Sequence, residues 1–141
     1  MSKYILVFSL VVLAAAFAAC GSGSNNTAPG KTIKSGPAGN NLTATLSNAD
    51  GVLRKGVQEF TLTFTDAAGK PVETSAVALN FHMPAMGSMA VMNNAATFTT
   101  TNTPGVYRGR VDIEMAGEWQ AQITYEGAAG KGKFTLPVMV Q

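Results

Sequence analysis

"VYRGRVDIEMAGEWQAQITY", residues 106–125, decides how this chain folds. Tyr107, Val111, Ile113 and Met115 fall on one phase of a two-residue period, and Arg108, Arg110, Asp112 and Glu114 fall on the other. Past Ala116-Gly117 the alternation resumes with Trp119, Ala121, Ile123 and Tyr125. A period of two marks strands with one face in a core, and Ala116-Gly117 reads as a tight hairpin turn. Two cations and two anions share the outward face, so it reads as solvated and charge-balanced, not as a carboxylate pair for acid–base chemistry.

The same period extends in both directions. Upstream lie "LTATLS" (42–47), "EFTLTFT" (59–65), with Phe60, Leu62 and Phe64 on one side, and "SAVALNF" (75–81), with Val77, Leu79 and Phe81 inward. "TFTTT" (97–101) centres on Phe98, and "KFTLPVMVQ" (133–141) sets Phe134, Leu136, Val138 and Val140 inward. Pro137 suits an edge strand, since it donates no ladder bond. "DAAGK" (66–70), "TPG" (103–105) and "EGAAGK" (126–131) are turn signals. About seven short strands without an amphipathic helix predict an all-β domain, an immunoglobulin-like antiparallel β-sandwich over residues 42–141.

The N-terminus reads as a targeting segment. "MSKYILVFSLVVLAAAFAAC" has one early cation, Lys3, an apolar run from Tyr4 to Phe17, and small residues before Cys20. The run is short for a membrane span of roughly 20 residues and ends at a cleavage-like site. "FAAC" resembles the bacterial lipoprotein box, with Phe17 where Leu is usual, which implies a signal peptide over 1–19 and acylation of Cys20. Each acyl methylene buried in a bilayer contributes about 0.8 kcal/mol. Residues 20–41, rich in Gly, Ser, Asn and Pro, read as the lipidated cysteine and a disordered tether. No Asp follows Cys20; by resemblance to Gram-negative lipoproteins this favours a cell-envelope location on the outer membrane, facing the periplasm, if the host is Gram-negative.

Composition excludes several functions. Ten basic against eight acidic residues give a net charge of +2, with no basic patch for nucleic acid. One histidine and one cysteine leave no internal disulfide, no cysteine-based zinc cluster and no ordinary nucleophile–base pair. "GAAGKGK" (127–133) lacks the spacing and the Ser/Thr of a phosphate loop. The expectation is a protein that is not an enzyme.

What remains is "NFHMPAMGSMAVM", residues 80–92, with the chain's one histidine and four of its seven methionines. Pro84 and Gly87 break the strand pattern, so residues 83–94 read as a loop. Thioethers are soft, neutral donors that suit Cu(I) and bind hard cations poorly. They withstand oxidising surroundings better than thiols do, although a sulfoxide forms. His82, Met83, Met86, Met89 and Met92 are the candidate ligands, and a spacing of three gathers side chains on one side of an extended loop. His82 alone carries a proton that a metal displaces. The competing reading is packing: Met83 continues the inward phase of Val77, Leu79 and Phe81, Met115 that of Val111 and Ile113, and methionine fills irregular gaps.

"FHMPAMGSM", followed some twenty residues on by "GVYRGRVDIEMAGEWQAQI", resembles the YtkA-like/FixH-like domain family. Its members share an MP-x-M-G loop, here Met83-Pro84 and Met86-Gly87, and a Gly-x-Tyr strand leading to a Met-Ala-Gly-x-Trp hairpin, here Gly105–Tyr107 and Met115–Trp119. The resemblance covers most of residues 45–140. It implies an exported or membrane-tethered β-sandwich, in some members tied to copper delivery for oxidase assembly or to copper efflux. The oxidase-assembly branch carries a transmembrane helix where this chain has a lipoprotein-like signal. The motif adds Met115 to the candidate ligands and places Trp119 as an aromatic beside the site. His82, Met89 and Met92 are outside the motif.

The expected function is thus a lipid-anchored domain that binds Cu(I), or a similar soft metal, for delivery, buffering or resistance, with a copper-handling or membrane-protein partner. The alternatives are a metal-free module that docks on a membrane protein through an adaptable Met-rich surface, and a structural envelope lipoprotein.

Overall fold

The alternating segments fold as strands throughout. The computed structural model describes residues 30–141, so Cys20 and the signal-like segment lie outside the described residues. Among the described residues nine strands follow in order: β1 (Lys31–Gly39), β2 (Leu42–Asn48), β3 (Gly56–Thr65), β4 (Thr74–Met83), β5 (Met92–Ala95), β6 (Thr97–Thr100), β7 (Val106–Ile113), β8 (Gly117–Gly127) and β9 (Gly130–Val140). They form two antiparallel sheets, β1-β2-β3-β7-β6 and β5-β4-β8-β9, packed as a sandwich. The neighbours β2-β3-β7-β6 and β4-β8-β9 reproduce the ABED and CFG orders of the immunoglobulin constant-type sandwich, with β1 and β5 added at the edges.

The inward phases meet between the sheets. Phe60, Leu62 and Phe64 of β3 and Tyr107, Val111 and Ile113 of β7 face Leu79, Phe81 and Met83 of β4 and Trp119, Ala121, Ile123 and Tyr125 of β8, all buried. Gly109 pairs with Phe60 across β3–β7, and a Cβ there would lie 2.4 Å from the Phe60 ring. The missing side chain leaves room for that ring, which meets Phe81 and Phe98 edge-on at centroid distances of 5.9 and 5.8 Å. Tyr107 brings a hydroxyl into the core and satisfies it at the start of β4. It accepts from the Thr74 amide and donates to the Thr74 carbonyl, both at 2.8 Å. β9 is the edge strand that Pro137 required.

Two expectations change. First, the domain starts before Leu42: residues 31–39, expected in a disordered tether, form β1 and pair with β2 from Lys31↔Asn48 to Gly39↔Leu42. Only Ala38 of β1 is buried, with Ile33 packed partly on the core, so apolar patterning was nearly silent there. Its order comes from sequence-independent backbone pairing and from Asn40-Asn41, both left-handed (φ 54 and 59), as a two-residue type I′ hairpin requires. The Tyr125 hydroxyl adds a clasp. It accepts from Asn40 Nδ2 at 3.0 Å and lies 3.0 Å from the Ala38 carbonyl, to which it donates.

Second, Ala116-Gly117 is not a hairpin turn. β7 pairs with β3 and β6, and β8 pairs with β4 and β9, so the chain crosses from one sheet to the other at residues 114–116. The alternation of 106–125 fits both a hairpin and such an arch. The arch sets Ile113 and Trp119 in opposite walls of one core, where both are wholly buried.

Candidate functional site

The methionine stretch sits where β4 passes into β5, and strand parity divides it. β4 and β5 pair as Asn80↔Ala95, Phe81↔Asn94, His82↔Asn93 and Met83↔Met92. Adjacent residues of a strand point to opposite faces. His82 therefore projects from the outer face of its sheet, and Met83 projects into the core, where it is 2% exposed. Met92, opposite Met83, is half-buried against the same core, as is Met115 from the arch. Expected within a loop, Met83 is instead the last residue of β4, and Met92–Ala95 form β5.

Met83 reaches the arch: a Cβ on Gly117 would lie 3.0 Å from Met83 Cε. Trp119, fully buried, donates its indole N–H to the Met115 carbonyl at 3.0 Å and so holds the arch closed. The loop base and the arch thus cap one end of the core together. Met83 reaches toward Gly117, and the Trp119 side chain is hydrogen-bonded to the Met115 backbone carbonyl.

Met86 and Met89 stand apart from that cap. The Met86 amide donates to the Met89 carbonyl at 3.2 Å, and the Met89 amide donates to the Met86 carbonyl at 2.9 Å. The two form an isolated antiparallel bridge across Gly87-Ser88, with Gly87 at φ 57. A positive φ at the first central position alone is the type II′ pattern of a two-residue hairpin. Directly opposed residues of an antiparallel pair send their side chains to the same face, with Cβ atoms about 4.5–5.5 Å apart. The spacing of three in the sequence is thus the i, i+3 closure of a tight turn, and it starts two methionine side chains from the same face of that turn. They are 56% and 37% exposed, and every residue from 84 to 91 is exposed.

His82 lies one strand face away, in a row of amides. Its Nδ1 is 2.9 Å from Asn93 Oδ1, which also accepts from Asn80 Nδ2 at 3.0 Å. A carboxamide oxygen only accepts, so Nδ1 is the donor of this pair, and in the neutral imidazole that arrangement leaves the lone pair on Nε2. Metal-binding histidines are commonly oriented by such a hydrogen bond from the second ring nitrogen. Gln120 pairs opposite His82 on β8.

The six candidate ligands thus fall into three environments: Met83, Met92 and Met115 toward the core, Met86 and Met89 at the exposed tip, and His82 on the outer face. Among the described residues no three of His, Cys, Asp or Glu cluster as a hard-donor metal site. Sequence reasoning missed the Met86–Met89 bridge, although Gly87 between methionines three apart was its signal. It also missed Asn93 as the partner of His82, because register across β4–β5 is invisible to periodicity.

No curated protein and no solved structure matches the chain. The YtkA-like family model matches residues 38–124, from the end of β1 through the methionine loop and the arch into β8. That match takes in well over half of the chain, which belongs to the YtkA-like family.

Proposed function

We propose that this protein is a lipid-anchored extracytoplasmic domain that binds Cu(I), or a similar soft monovalent ion, at the tip of the β4–β5 loop for delivery, buffering or resistance. The observation that carries the reading is the Met86–Met89 bridge, which starts two exposed methionine side chains from one face of a hydrogen-bonded two-residue turn. Soft donors without charge or proton select Cu(I) over the hard cations outside the cytoplasm. A paired turn also holds them together before the ion arrives, which reduces the ordering cost of binding. His82, on the outer face at the base of the loop, is the further candidate donor in this reading, through Nε2. Met83 and Met115 serve the core, and Met92 supports the loop from beneath.

The test is a competition titration with the full chain as Cys20→Ser, which removes the one thiol as a rival soft ligand. Cu(I) is partitioned between the protein and a calibrated chromogenic chelator. The reading expects competition that is lost when Met86 and Met89 are both changed to Leu, with the fold intact by circular dichroism. A protein that takes no Cu(I) from a micromolar-affinity chelator overturns it. The exposed, uncharged loop also suits a metal-free docking module; that reading expects no competition and a loss of partner binding in the same variant.

A further inference from the structure

The strand ends put the methionine loop and the chain's path to its N-terminus at one pole of the sandwich. Lys31 pairs with Asn48, Gly56 with Ile113, Gly117 with Val140 and Met83 with Met92, each at a strand end. Gln141 is tied to the 53–55 segment through Gln141 N–H to the Leu53 carbonyl at 2.9 Å and Lys55 N–H to the Gln141 carbonyl at 2.8 Å. Lys31, residues 49–55, residues 84–91, the arch and Gln141 therefore share one end. The connections 40–41, 66–73, 101–105 and 128–129 share the other. β1 packs on β9 at one side of the sandwich, while β4 and β5 pack on β6 and β7 at the other. The chain's entry and the loop are thus three or four strand spacings apart, about 15–20 Å.

The tether is shorter than the sequence suggested, because β1 takes up residues 31–39. Ten residues, 21–30, separate Cys20 from Lys31, a reach of at most about 33–36 Å. The loop extends from the same pole by up to about 13 Å, with four residues out and four back at roughly 3.3 Å each.

We infer that this pole rests on the bilayer that holds Cys20, with Met86, Met89 and Val91 in the boundary between headgroups and acyl chains. Residues 84–91, "PAMGSMAV", are all exposed, carry no charge and have one polar side chain, Ser88. Such a surface offers little for charge-coded recognition of a protein, whereas apolar side chains on a small loop suit an interface with lipid. Burial of backbone in that boundary is costly unless its polar groups are paired. The mutual hydrogen bonds of Met86 and Met89 pair two amides and two carbonyls beside the tip. The inference rests on the lipid-anchor part of the proposed function and not on copper. It deepens that function, since it holds the thioethers at the membrane plane, within reach of a membrane-embedded acceptor.

The test uses the full acylated chain in vesicles of phosphatidylethanolamine and phosphatidylglycerol, spin-labelled at Ser88→Cys or, at the far pole, Ala128→Cys. Acylation blocks Cys20, so each introduced cysteine is the one reactive thiol. Flotation of the vesicles first establishes the anchor. Collision rates with oxygen and with a water-soluble Ni(II) chelate then report immersion. The expected result is a shift toward oxygen at position 88 and aqueous values at position 128. A floating protein with equal values at both positions overturns the inference and leaves the anchor standing. Immersion of position 88 in native membranes but not in pure lipid also overturns it, in favour of a membrane-protein partner. A protein that does not float with the vesicles removes the anchor and the inference together.

Discussion

Met83 of β4 and Gly117 at the start of β8 touch across the end of the core: a Cβ on Gly117 would stand 3.0 Å from Met83 Cε. Gly117 also has φ 136, a conformation that residues with a Cβ rarely adopt. Gly117→Ala therefore combines backbone strain with a side-chain clash and is expected to cost about 1–3 kcal/mol. Met83→Leu, which keeps volume, is expected to cost less than about 1.5 kcal/mol, and Met83→Ala about 2–5 kcal/mol. Urea midpoints measure all three. In the double variant Gly117→Ala/Met83→Ala the penalties should add to less than their sum, because the shortened side chain removes the clash. Strict additivity would show that the two residues do not press on each other.

Oxidation tests the division of the methionines without any metal. Met86 and Met89 are 56% and 37% exposed and Met83 is 2% exposed. Dilute peroxide should convert Met86 and Met89 to sulfoxides well before Met83, as read by peptide mass spectrometry. Saturating Ag(I), a redox-inert stand-in for Cu(I), should slow oxidation at Met86 and Met89 and leave the rate at exposed Met139 unchanged. Equal slowing at Met139 would mean that silver acts on any surface thioether.

His82 carries the pH dependence of the proposed site. Thioethers bind no proton in this range, whereas a proton on Nε2 excludes a metal from it. Proton and metal compete for the same Nε2 lone pair, so Cu(I) affinity should fall as the solution is acidified. His82→Ala should bind more weakly and with a nearly flat pH profile. A slope that survives the substitution would place the titrating group elsewhere.

A chain that begins at Leu42 lacks β1. It exposes the hydrogen-bonding edge of β2 and leaves the buried Tyr125 hydroxyl without Asn40 and the Ala38 carbonyl. The lost hydroxyl partners alone are worth about 1–3 kcal/mol. Such a chain should melt lower and tend to associate through the bared edge, measured by scanning calorimetry and light scattering. A chain that begins at Gly30 should match the full-length domain.

Much of this architecture was legible in the residues. Strand parity placed Leu79, Phe81, Trp119, Ile123 and Leu136 in the core, set Arg108, Arg110 and Asp112 outside, and split inward Met83 from outward His82. Those readings held because a two-residue period reports directly which face each side chain takes. Membership of the YtkA-like family was legible too, and the family model matches residues 38–124.

Tertiary structure decided who stands beside whom. The same alternation in 106–125 fits a hairpin or an arch, and the choice was made by β3 and β6 pairing with β7 while β4 and β9 took β8. β1 is held by backbone bonds and an Asn-Asn turn, which polar composition disguised as tether. The bridge that sets Met86 opposite Met89, and the register that sets Asn93 opposite His82, are likewise backbone pairings. Amide and carbonyl groups are the same at every residue, so inward and outward faces can be read from side chains, but partnership between strands is settled only when the chain is folded.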